Sequence, residues 1–136
     1  MATAAAKKRK TRSKNAVSIL VVDDEPMIRD MIGQYLGLQG FRVRSAQGGA
    51  EALAQVEKDP PQMIILDMYM PGMNGIEVLG ELRARRYKGG VIALTASQDE
   101  KLLQQALDLG LVDILGKPVD LARLSLAIQV SLAFGA

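Results

Sequence analysis

The chain contains no cysteine, no histidine and no tryptophan. Without cysteine there is no disulfide, no thiolate metal site and no cysteine nucleophile. Without histidine the usual general base and the usual zinc ligand are missing, and the chain has no phosphohistidine of its own. Aromatic residues are few, three tyrosines and two phenylalanines. No apolar run approaches the ~20 residues of a membrane-spanning helix. Carboxylates, hydroxyls and lysines are what remains for chemistry.

A net charge of +2 hides two opposed parts. Lys7, Lys8, Arg9, Lys10, Arg12 and Lys14 fall within the opening MATAAAKKRKTRSK, which has no acid. Removing these six from the 17 basic residues leaves 11 against 15 acidic ones, so the body is acidic. Residues 1–16 are expected to form a solvated, disordered arm, because charge without apolar residues builds no core. Its other use would be a weak electrostatic contact with nucleic acid or an anionic surface. KKRK also fits a nuclear-import pattern, a short match of little specificity. The arm lacks the apolar segment of a secretory signal, so a cytoplasmic location is expected.

Residues 17–136 are expected to form one domain of strictly alternating strands and helices. Val17 to Val22 is a continuous apolar run, as in a strand buried on both faces. Pro26 suits a helix start, with Asp24 or Glu25 before it and Gly37 or Gly40 at its end. Further strands are expected at Phe41 to Ser45, Met63 to Leu66, Val91 to Leu94 and Val112 to Leu115. Helices are expected from Ala50 to Lys58, around Ile76, Leu79 and Leu82, from Asp99 to Leu109, and from Leu121 to Phe134. Such alternation implies a doubly wound parallel sheet with helices on both faces. The last helix carries two apolar stripes. Leu121, Leu124, Ile128 and Leu132 suffice to cover the sheet, while Leu126, Val130 and Ala133, with Phe134 at the margin, form a second. Either a neighbouring element covers that second stripe, or it is an exposed contact patch.

The polar residues follow the strands. Asp23 and Asp24, Asp67, Thr95 and Lys117 each stand just beyond the carboxyl end of an expected strand, where open α/β sheets bind ligands. Singly, each has an ordinary explanation as a cap or loop residue. Together they bring three carboxylates, a hydroxyl and an ammonium to one edge. The excess of negative charge suits Mg²⁺, which takes one or two carboxylates and keeps several waters. With a cation bound, the site would accept a phosphoryl group, and a carboxylate would be the nucleophile.

VVDDEP (21–26), ILDMYMPGMNG (65–75), LTAS (94–97) and GKP (116–118), in this order and spacing, resemble the receiver domain of two-component response regulators. The resemblance covers residues 17 to 134. It implies a flavodoxin-like fold with strand order 2-1-3-4-5 and five helices. It makes Asp67 the phosphoacceptor, Asp24 a direct Mg²⁺ ligand, Asp23 a ligand through water, and Tyr69 a ligand through its backbone carbonyl. Thr95 becomes the switch hydroxyl and Lys117 the phosphoryl-binding lysine, with backbone N–H groups of Met68 and Ala96 also touching the phosphoryl group. Pro118 is expected after a cis peptide bond. The donor would be a histidine kinase or a histidine phosphotransfer protein. The chain would not be an enzyme beyond its own phosphorylation and the slow hydrolysis of its aspartyl phosphate. Output would run through the face of the fourth helix, fifth strand and fifth helix, towards a homodimer or a downstream protein.

Two features bear on how far the common pattern carries over. Ile114 stands where many receivers have a tyrosine or phenylalanine, so an aromatic switch is not expected. Tyr69 and Ser97 occupy variable places that bear on phosphoryl lifetime. Because nothing follows Ala136, a stand-alone receiver is expected. The alternatives are an unphosphorylated pseudo-receiver, against which the full acid set speaks, and a metal-dependent phosphatase of similar topology. The phosphatase needs a second acid where this chain has Tyr69. A nucleotide-binding protein would need a G-x-x-x-x-G-K-[ST] loop, which is absent.

Overall fold

Apolar strands and amphipathic helices alternate along the chain, and the computed structural model, which describes residues 16–96 and 99–134, shows how they stack. Most of the basic arm and Ser97 lie outside the described residues. The order is β1 (Ser18–Val22), α1 (Pro26–Leu38), β2 (Arg42–Ala46), α2 (Gly49–Lys58), β3 (Met63–Asp67), α3 (Gly75–Ala84), β4 (Gly90–Thr95), α4 (Glu100–Asp108), β5 (Asp113–Gly116) and α5 (Leu121–Phe134). All strand pairs are parallel and the sheet order is β2-β1-β3-β4-β5. The flavodoxin-like doubly wound sheet with five helices is therefore the observed fold.

The central strands β1, β3 and β4 are apolar along nearly their whole length because both sheet faces are covered there, whereas the edge strand β2 carries Arg42, Arg44 and Ser45. Leu20, Val22, Ile64, Leu66, Val91 and Ala93 face α2, α3 and α4, while Ile19, Val21, Ile65, Ile92 and Leu94 face α1 and α5. Full burial of each such side chain contributes roughly 1.5–3 kcal/mol, so the sheet is the rigid frame on which the loops are mounted.

Boundaries differ from expectation by a residue or so. Gly37 lies inside α1, and Gly40, at φ 96°, makes the turn that follows it, a conformation glycine adopts without strain. β2 and β5 each begin one residue later than expected, at Arg42 and Asp113. The peptide bond before Pro118 is cis, as expected. The last helix corrects one expectation. Leu124 and Ile128 are buried, but Leu132 is not part of the core, being 37% exposed. Ser125 and Ala127 take the flanks of the buried face instead. The second stripe is uncovered, with Leu126, Val130, Ala133 and Phe134 all exposed. Among the described residues no helix is long and apolar enough to cross a membrane.

Candidate acidic site at the carboxyl edge

The site is assembled from the loops that leave β1, β3, β4 and β5. Where β1 ends, Asp23 turns inward and is wholly buried, while Asp24 and Glu25 remain exposed. Asp23 Oδ1 accepts from the Glu25 N–H at 2.9 Å, an Asp-turn that bends the chain into Pro26 at the start of α1. Arg29, one turn into α1, donates from Nη1 to the Asp23 carbonyl at 2.6 Å. The expectation that Asp24 or Glu25 caps α1 is met in position by Glu25, whose side chain makes no capping bond. It is engaged elsewhere.

Asp67, the last residue of β3, is 2% exposed. Its Oδ1 accepts from the Tyr69 N–H at 3.1 Å. From the β5 loop, Lys117 Nζ lies 2.9 Å from Asp23 Oδ2, 3.1 Å from Glu25 Oε1 and 3.4 Å from Asp67 Oδ2. The Lys117 N–H donates to the Thr95 carbonyl at 2.8 Å, which fixes the lysine loop to the end of β4. Thr95 is itself buried, and Ala96 beyond it is exposed. The loops after β1 and β3 thus supply the acids around one ammonium from the β5 loop, and the end of β4 anchors that loop.

Burial has electrostatic consequences. The Asp67 carboxyl is pushed up to about 6, first by desolvation and then by the charge of Asp23, against the opposing pull of the Tyr69 N–H and Lys117. Burial works against the Lys117 ammonium. The hydrogen bonds from Asp23 and Glu25 and the charge of Asp67 outweigh it and raise its pKa.

Carboxylate oxygens of Asp23, Asp24 and Glu25 come within 4.8 Å of one another. This is an all-oxygen donor set of mixed burial, and Asp67 shares Lys117 with Asp23 and Glu25. Hard divalent cations prefer such a set, so the residues present fit Mg²⁺.

The structure brings Asp23, Asp67, Thr95 and Lys117 together as the sequence implied, with Asp24 on the open side. Two features differ. The Met68 N–H donates to the Leu94 carbonyl at 2.9 Å, extending the β3–β4 ladder, so this geometry gives no support to its expected phosphoryl contact. Glu25, expected only as a cap candidate, is a third acid on Lys117. A further contributor, Gly75, was not expected at all. A Cβ there would stand 2.6 Å from Met68 Cα and 2.8 Å from the Asp67 carbonyl oxygen. The Asn74–Glu77 capping box that starts α3 presses this glycine beneath the Asp67 loop. N-G before an apolar helix was the available signal.

A model of the response regulator receiver domain matches residues 19–129. The transcriptional regulatory protein KdpE of Mycobacterium tuberculosis is 41% identical over 115 residues, which are 82% of this chain and 50% of that protein. Sporulation initiation phosphotransferase F of Bacillus subtilis is 32% identical over 111 residues, covering 82% of this chain and 90% of that one. The solved structure of chemotaxis protein CheY4 of Vibrio cholerae superposes with a TM-score of 0.80 at 32% identity, over 85% of this chain and 98% of the other. The chain spans about half or less of the length of several curated relatives.

Proposed function

The chain belongs to the response regulator receiver domain family, and we propose that it takes a phosphoryl group from a partner phosphohistidine onto Asp67. The carrying observation is the pairing of two buried acids, Asp23 and Asp67, across Lys117 Nζ at 2.9 and 3.4 Å. Buried carboxylates facing each other are costly to maintain without a charged partner. A site that receives a cation and a phosphoryl group gives that cost a use.

In the proposed step, an Asp67 oxygen attacks phosphorus, a P–O bond forms and the P–N bond to the donor imidazole breaks. The imidazole nitrogen keeps the electron pair and takes a proton from solvent. A histidine kinase or histidine phosphotransfer protein would be the donor. The chain itself offers no histidine as an alternative route. Mg²⁺, when bound, supplies positive charge for the phosphoryl oxygens. Asp24 would hold it directly, Asp23 through water, and Asp67 and the Tyr69 carbonyl would complete the protein ligands. Lys117, drawn from its acid partners, would pair with a phosphoryl oxygen. Thr95 would donate to another, with the Ala96 N–H beside it.

The response would pass from Thr95 into α4, β5 and α5. Ile114 is packed with the residues beneath α4, so the change would proceed without a rotating ring. The uncovered stripe of α5, with Leu126 and Val130, is the surface on which a homodimer or downstream protein would be gained. Incubation with acetyl phosphate and Mg²⁺, followed by intact mass, tests the reading. One added phosphoryl group is expected, and none on Asp67→Asn. Stoichiometric phosphorylation of that variant would overturn it.

A further inference from the structure

The Lys117 ammonium is fully engaged in this structure. It has three N–H donors and no acceptor. Three carboxylate oxygens stand within 3.4 Å of Nζ, one each from Asp23, Glu25 and Asp67. A phosphoryl oxygen can therefore pair with Lys117 only after one of the three acids gives way. They differ in how freely they can do so.

Asp23 and Asp67 are held in place. Both are buried, and each accepts a backbone N–H on its other oxygen, from Glu25 and from Tyr69 respectively. Turning either carboxylate from the ammonium would leave an unpaired charge in the interior, which is strongly unfavourable. Asp67 makes the longest of the three contacts, yet it is the group that must stay beside an incoming phosphorus.

Glu25 is built differently. Its backbone is fixed, because its N–H donates to Asp23 Oδ1 and its carbonyl accepts from the N–H groups of Ile28 and Arg29 at 3.1 and 3.2 Å. Its side chain makes no capping bond to α1 and is 59% exposed, against 13% for Lys117. It reaches across the mouth of the site to receive a hydrogen bond from Lys117 Nζ at 3.1 Å. A carboxylate so placed can swing into water, where hydration replaces its ammonium, for the small cost of an exposed ion pair. Asp24, its neighbour, is also exposed but makes no ion pair among the described residues. Reach, and not charge alone, singles out Glu25.

We propose that Glu25 is a displaceable counter-ion. It occupies the place on Lys117 that a phosphoryl oxygen takes, and so holds back phosphorylation until a donor displaces it. This role rests on Asp67 as phosphoacceptor and adds a regulating residue to that site.

Phosphorylation of the full chain by acetyl phosphate at saturating Mg²⁺, followed by intact mass over time, tests the proposal. Saturating metal removes any change in Mg²⁺ affinity from the comparison. Glu25→Gln keeps the shape and removes the charge, so it should react about two- to fivefold faster, the range that an exposed ion pair commands. Beryllofluoride, which stands in for the phosphoryl group, should bind this variant more tightly by a similar factor. Glu25→Asp keeps the charge but withdraws it by one methylene, and should follow Glu25→Gln. Both should melt near the parent chain, since the side chain lies mostly in water. A merely structural role predicts slower reaction and weaker beryllofluoride binding in both variants, and that result would overturn the proposal. Rates equal to the parent's would do the same. A fast Glu25→Gln beside a parent-like Glu25→Asp would overturn it in favour of simple repulsion of the donor. If the parent chain itself takes up no phosphoryl group, the reading of Asp67 fails. Uptake by the parent with unchanged variants removes only the role of Glu25.

Discussion

Lys117 Nζ stands 2.9 Å from Oδ2 of Asp23, a carboxylate without solvent exposure, although 94 residues separate the two along the chain. The lysine is the counter-charge of the metal-free site. Lys117→Ala should therefore lower stability by about 3 kcal/mol, since removing one partner leaves buried charge uncompensated. Mg²⁺ should restore part of the loss. Urea unfolding with and without the cation measures both, and a variant as stable as the parent chain in metal-free buffer would contradict this role.

The raised Asp67 pKa predicts how stability varies with pH. An ordinary aspartate ionises near 3.8 in the unfolded chain, while in the fold Asp67 does so at about 6. Between these values the folded state holds the extra proton, so stability falls as pH rises through the window. At pH 7 without metal the cost is at most about 3 kcal/mol. No histidine titrates in this range to obscure it. Asp67→Asn should be more stable than the parent chain in metal-free buffer at pH 7, and the gap should close towards pH 4. Equal stability across the range would remove the assignment.

Asp24 and Asp23 should differ as metal ligands. Asp24 is exposed and forms no ion pair among the described residues, whereas Asp23 is held by Lys117 and the Glu25 N–H. Asp24→Ala should weaken Mg²⁺ binding well beyond the roughly tenfold loss typical of an outer contact, and Asp23→Ala should lose less. Titration calorimetry on both variants decides, and a reversed order would place the direct ligand at Asp23.

Gly75→Ala should disturb the Asp67 loop. A methyl group 2.6 Å from Met68 Cα meets backbone, which cannot swing aside. A cost of about 1–3 kcal/mol is expected, with slower phosphorylation by acetyl phosphate. Gly80 serves as the control, because a Cβ there meets nothing within 4 Å and alanine favours a helix. If both changes behave alike, Gly75 has no special place.

Val130→Glu on the exposed stripe of α5 should change stability by no more than about 0.5 kcal/mol, as surface substitutions do. If the stripe serves a phosphorylation-dependent homodimer, sedimentation of the parent chain with a phosphoryl mimic will show association that the variant lacks. A monomer under every condition leaves a different protein as the partner of this face.

The order of strands and helices was legible in the sequence because burial on both faces forces unbroken apolar runs such as Ile19 to Val22 and Met63 to Leu66. The acids were legible for a related reason. A parallel sheet puts every strand end at one edge, so Asp23, Asp67, Thr95 and Lys117 had to converge once the strands were placed. Distances along the chain, however, say nothing about which oxygen an ammonium selects. That Lys117 takes Glu25 as well as Asp23, and that Gly75 lies against the backbone beneath Asp67, follow from how the loops pack. Leu132 carries the same lesson. Its helical spacing matched the core stripe, yet it is exposed, because the buried face of α5 is set by where the helix meets β4 and α1. Local pattern determined which elements form and which edge carries the chemistry. Tertiary packing alone decided burial and ion-pair choice, because these depend on contacts between segments far apart in the chain.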